Sequence, residues 1–127
     1  MSKLIIIGFG GFIGSILRYV LSGYVQGISN SIAFPYGTLA VNLAGCLVIG
    51  FLSQLAESQG VFTPEMRGFL FVGLLGGFTT FSTFGNETFN LMRDSEYMSA
   101  LFNLAVHIML GLGAVWLGHA LAHSIWR

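Results

Sequence analysis

The chain has 127 residues, of which 54% are apolar and 8% charged, and its formal net charge is zero. Mean hydropathy is +0.80, whereas a soluble domain carries roughly a quarter charged residues. These values exclude a nucleic-acid binder, which needs a basic footprint, and a disordered chain. They leave too little polar surface to cover a small soluble enzyme. What remains is a single-domain (1–127) integral membrane protein, all-α, in contact with the lipid bilayer.

A spanning helix needs about 20 mostly apolar residues. The first such window covers residues 4–24. Lys3 and the apolar run after it imitate a signal peptide, but no small-residue cleavage site follows, so the run is expected to be a span. It contains Gly10-x-x-x-Gly14, a small-xxx-small pair that lets helices approach closely in lipid. The pair serves packing within the chain or pairing between chains. Arg18 lies four residues past Gly14 and shares its face. It either snorkels to lipid headgroups or forms a positive focus at a pore mouth.

A Gly/Ser/Asn/Pro segment over 26–35 punctuates the chain before the second span, 36–56. Cys46 sits there in an apolar run and, as the one cysteine, forms no intrachain disulfide. Asn42 lies roughly 9 Å along this helix from Tyr36. Its amide either bonds a neighbouring helix or faces a transported species.

Thr63-Pro64-Glu65 reads as N-cap, first helical residue and first-turn carboxylate of the third span, 68–91. Gly73-x-x-x-Gly77 is a second small-residue pair. The densest polar constellation runs from Gly76 to Gly85, with four hydroxyls and three phenylalanines. Glycine and threonine are mediocre helix formers, so the helix is expected to break near its middle. Non-helical backbone at membrane depth must be buried or line a wet cavity, and unwound carbonyls can hold a cation. Phe78, Phe81 and Phe84 are spaced to share one face. Such a stripe is ordinarily packing. Interleaved with Thr79, Thr80, Ser82 and Thr83, its positive ring edges suit a small anion. Glu87 lies one turn further, placed to pair with a cation or cap a polar track.

Arg93-Asp94-Ser95-Glu96 separates the fourth span, 98–125. His107 is mid-span and expected to bond a neighbouring helix. His119 and His123 stand at metal-pair spacing, but no third ligand is in sequence reach and an interfacial role fits better.

Four spans put Lys3, Arg67 and Arg127 on one side and Arg93, with Arg18 if it snorkels, on the other. The positive bias that normally sets orientation is nearly absent. Either a weak bias suffices, or the chain inserts both ways and pairs with its inverted copy. No catalytic triad, carboxylate pair, Walker loop or dinucleotide fingerprint occurs. Without a nucleotide site, transport is passive or driven by an ion gradient.

The run Gly76-Gly77-Phe78-Thr79-Thr80-Phe81-Ser82-Thr83-Phe84 resembles the CrcB/Fluc family of fluoride channels. Gly10-x-x-x-Gly14-x-x-x-Arg18 and Gly37-Thr38-Leu39-x-x-Asn42-x-x-Gly45 match it too. The resemblance implies an antiparallel, dual-topology homodimer in the plasma (inner) membrane, with two narrow pores that export cytoplasmic fluoride passively. It implies that Phe81 and Phe84 present ring edges to the anion, with Asn42 as amide donor. Thr80, Ser82 and Thr83 would then supply hydroxyls, and Arg18 would stand in the vestibule. Gly76 and Thr79 would give backbone carbonyls to a structural sodium (Na+) at the dimer interface. A proton-coupled small multidrug exporter is the rival of similar size, but it needs a carboxylate in the first span, and residues 4–24 hold none. A non-transporting accessory protein would explain the glycines but not the clustered hydroxyls.

Overall fold

The computed structural model describes residues 2–126; Arg127, counted above among the charges of one membrane face, lies outside them. Four helical segments are long and apolar enough to cross a membrane. The first is α1 (Ser2–Ser29) and the second α2 (Tyr36–Gln59). The third is split into α3 (residues 64–78) and α4 (Phe81–Arg93). The fourth is α5 (Tyr97–Ile125). α1 packs on α3, α2 packs on α5, α1 also touches α2, and α4 leans on α5.

The helices overrun the apolar windows. α1 continues through Gln26 to Ser29, where Asn30 turns into the left-handed region at φ 55°. Arg18 is therefore eleven residues from the helix end, not close to it as the shorter span suggested. Gln26 folds the following loop back. Its Nε2 donates to the carbonyls of Ser31 (2.7 Å) and Phe34 (3.0 Å). Its Oε1 accepts from the Gly37 N–H at 2.9 Å, satisfying an orphan donor of α2's first turn. Thr63 caps α3 as expected, with Oγ1 accepting from the Met66 N–H and Pro64 following.

Backbone-to-backbone packing holds the bundle together. A Cβ on Gly10 would stand 2.6 Å from the Phe69 carbonyl, and one on Gly14 would run into the Leu74 carbonyl. From the other side, a Cβ on Gly73 would strike the Ile7 carbonyl, and one on Gly77 would lie 2.8 Å from that of Gly11. Both small-residue pairs are thus consumed in the contact of α1 with α3. Gly50 and Gly118 do the same for α2 and α5, against Val115 and Leu47. The large apolar side chains mostly point outward, as a lipid-facing surface requires.

The third span departs from a plain helix twice. Residues Gly68–Leu75 form a π-helical stretch, which the sequence reading did not anticipate. The break itself falls inside the anticipated segment: Thr79 (φ −90°, ψ 161°) and Thr80 (φ −153°, ψ 120°) are both extended. It also divides the phenylalanine stripe. Phe78 ends α3 beside Gly14 and Gly45, while Phe81 and Phe84 begin α4, so the three do not share one helical face.

Candidate functional site

Two extended residues in mid-span leave backbone groups that the helix would have paired. In an unbroken helix the Thr80 N–H would bond the Gly76 carbonyl. Here it donates to Asn42 Oδ1 at 2.9 Å, and Asn42 Nδ2 donates back to the Thr80 carbonyl at 3.0 Å. One carboxamide on α2 thus grips both polar groups of one residue. Three residues on, Gly45 is bare, and a Cβ there would run into Thr79 Cγ2. The Asn42-x-x-Gly45 face of α2 is therefore a seat for Thr79-Thr80.

The rest of the break is capped locally. Thr79 Oγ1 donates to the Leu75 carbonyl at 2.9 Å. Thr80 Oγ1 accepts from the Thr83 N–H (3.2 Å) as N-cap of α4. It also lies 3.1 Å from Thr83 Oγ1 and 3.4 Å from Ser82 Oγ. Arg18 Nε donates to the Gly77 carbonyl at 3.1 Å, which directs this part of the side chain to the break rather than to headgroups. The Gly76 and Thr79 carbonyls remain without their helical partners, because the N–H groups of Thr80 and Thr83 bond elsewhere.

A groove of about 440 Å³ opens over the break. Gly76, Thr79, Thr80, Phe81 and Phe84 line it, facing Asn42, Gly45 and Cys46 of α2 and His107 of α5. Phe81 is 74% exposed into this open side, with its ring centroid 5.5 Å from that of Phe84. Ser82 and Thr83 join Thr80 in the hydroxyl cluster but do not line the groove.

His107 closes the site. Its ring lies on Phe84 with centroids 4.1 Å apart. Its Nε2 is 3.2 Å from Asn42 Nδ2, and its Nδ1 is 3.2 Å from the Asn103 carbonyl. Asn42 Nδ2 can only donate and the carbonyl can only accept, which assigns the hydrogen to Nδ1 and makes Nε2 an acceptor. The helix-bridging histidine expected from sequence is thus present. Beneath it the fully buried Asn103 donates to Thr88 Oγ1 (2.9 Å), which donates to the Phe84 carbonyl. Nothing in sequence marked Asn103, a single amide in an apolar helix, or Gln26, an amide in a polar stretch. A carboxamide whose partners lie outside its own helix carries no local signal of what it bonds.

Glu87 stands apart from this groove. It lines a second one, of about 700 Å³, with Gln26, Asn90, Asp94 and Glu96 at the loop end of the bundle. His119 Nδ1 lies 3.2 Å from Gln54 Oε1 of α2, so that ring is engaged across the helix contact.

Residues 5–119 match the family described as CrcB-like protein, Camphor Resistance (CrcB). A protein of Methylobacillus flagellatus named fluoride-specific ion channel FluC is 46% identical over 121 residues, covering 95% of this chain and 94% of its own. The fluoride-specific ion channel FluC 1 of Methanosarcina acetivorans is 45% identical over 118 residues, 93% and 88% of the two chains. A third, from Geotalea daltonii and also named fluoride-specific ion channel FluC, is 42% identical over 125 residues, 98% and 100%. Family match and relatives extend over nearly the whole chain, across all four spanning segments and the broken third one. The chain belongs to the CrcB-like family of multi-pass membrane proteins.

Proposed function

We propose that this chain is a fluoride-selective channel of the plasma membrane, not an enzyme, and that it exports cytoplasmic fluoride passively. The observation that carries the reading is the groove over the Thr79-Thr80 break, where the rings of Phe81 and Phe84 stand beside Asn42 and the Thr80 hydroxyl. Fluoride is small and strongly hydrated, so its dehydration must be offset by close donors. Ring edges carry partial positive charge. Amide, hydroxyl and ring-edge donors stabilise the ion without a fixed cation that would trap it. Phe81, Phe84, Asn42, Thr80, Ser82 and Thr83 are the pore residues of this reading, with Arg18 in the vestibule.

The working unit is an antiparallel homodimer with two pores. The exposure of Phe81 and the open side of the groove support it, since one copy covers only part of the conduction path. The near-even spread of basic residues supports inverted insertion. Gly76 and Thr79 carry carbonyls without helical partners, the hard neutral oxygens that suit sodium. A sodium ion held by these carbonyls and their copies in a second subunit would neutralise the unpaired backbone dipoles at the two-fold axis.

Purified protein in liposomes, under a potassium gradient with valinomycin, will release fluoride while chloride stays trapped. Phe81→Ile and Phe84→Ile will lower fluoride release without dissociating the dimer. Absence of fluoride release from folded dimers would sink the channel reading. Undiminished release in both variants would return the rings to simple packing.

A further inference from the structure

Asn42 has two amide hydrogens, and both are committed: one to the Thr80 carbonyl, the other to His107 Nε2. An anion in the groove therefore meets no free amide hydrogen on Asn42. The Thr80 bond belongs to a two-bond ring with the Thr80 N–H, and opening it would orphan backbone at membrane depth. The His107 bond is a single bond to a neutral acceptor. It is the one that can be exchanged.

We propose that His107 is a positioning residue that holds the second amide hydrogen of Asn42 and yields it to an anion entering the groove. This rests on the fluoride-channel reading. The imidazole is itself held on both sides, by the Asn103 carbonyl at Nδ1 and by the Phe84 ring against its face. It therefore sets Asn42 and Phe84 together. Nε2 accepts only while it is unprotonated. A proton there turns acceptor into donor, so that Asn42 and His107 present two donors to one another. An anion seated between them satisfies both. Proton and anion then bind cooperatively, each raising the other's affinity by the same factor. The surroundings leave this coupling to His107. From α2, Cys46 is the other titratable group lining the groove. From α4, Glu87 lines the second groove instead. Arg18 of α1 is engaged on the Gly77 carbonyl, and α3 contributes no titratable lining residue.

The test is electrical, because neutral hydrogen fluoride carries no current. Planar-bilayer fluoride currents are recorded against fluoride concentration between about pH 5.5 and 8, the range in which imidazole titrates. The apparent fluoride affinity of the wild type is expected to rise at least about fivefold toward acid. His107→Gln, which keeps an acceptor but takes no proton, flattens the profile, while His119→Gln leaves it intact. A flat wild-type profile, or a slope that survives in His107→Gln, overturns the role of His107 alone. A wild type that passes no fluoride current at any pH overturns the channel reading and this role with it. Nitrogen NMR of histidine-labelled wild type, assigned with His119→Gln and His123→Gln, decides the matter if His107→Gln does not fold. Neutral His107 is expected to carry its hydrogen on Nδ1 and to take up a second proton more readily with fluoride. A hydrogen on Nε2 of the neutral ring overturns the proposal.

Discussion

Two carboxamides do the same work in two solvents. Gln26 makes three hydrogen bonds that fold the loop over 30–35 against the end of α1. Asn42 makes three as well, two that hold Thr80 of the break against α2 and one to His107 Nε2 of α5. Each binds backbone groups that no helix or sheet satisfies. The loop lies where water can replace a lost bond. The break lies in mid-span, where water is scarce and an unpaired backbone group is costly. The geometry is alike, and the difference lies in what the unpaired state would cost. A short amide at depth is therefore a structural necessity before it is a ligand for anything.

The sharpest way to break the comparison is Asn42→Leu. It strips both polar groups of Thr80, each worth about 1–3 kcal/mol when left unsatisfied. The expected result is a large loss of thermal stability in detergent. Hydrogen exchange will accelerate over residues 79–83, while α1 and the first half of the third span stay protected by their glycine contacts. A variant as stable and as protected as the wild type would show that the break does not depend on Asn42.

A smaller effect separates shape from hydrogen bonding in the same seat. Gly45→Ala places a methyl against Thr79 Cγ2. Overpacking of this kind costs typically about 1–3 kcal/mol. Thr79→Ser removes the opposing methyl and keeps the hydroxyl that bonds the Leu75 carbonyl. The double variant Gly45→Ala/Thr79→Ser should therefore recover most of the loss in thermal stability. Failure of the rescue would mean that the alanine is felt by the backbone of the break, not by the threonine methyl.

Legibility in sequence followed the range of each interaction. The four spans were legible because hydropathy is a local average. The broken segment was legible because weak helix formers and hydroxyls cluster within ten residues. The cap at Thr63 was legible because its partner is three residues away. The length of α1 beyond Arg18 was not legible because polar Gln26 and Ser29 read as loop, whereas Gln26 stays helical and spends its amide on the loop that follows. The role of both small-residue pairs stayed open because a small residue carries no label for its partner. Asn42 was singled out for its depth, but its partners lie 38 and 65 residues away. Sequence could say that it must bond something, not that it would bind both ends of Thr80.

Gln26→Ala completes the comparison from its weaker side. The substitution frees the Ser31 carbonyl and the Gly37 N–H, and takes one of two donors from the Phe34 carbonyl, which keeps the Tyr36 N–H at 3.0 Å. All three sit at the end of the bundle, so water can take over much of what Gln26 supplied. The expected loss is about 1 kcal/mol, the net worth of an exchanged hydrogen bond rather than of an orphaned group. The effect should be local: faster proteolysis within 30–35, with exchange in the break unchanged. Were Gln26→Ala to cost as much as Asn42→Leu, the contrast between the two clamps would be one of geometry and not of medium. Position along the membrane normal would then not explain why the second half of the third span relies on a single asparagine.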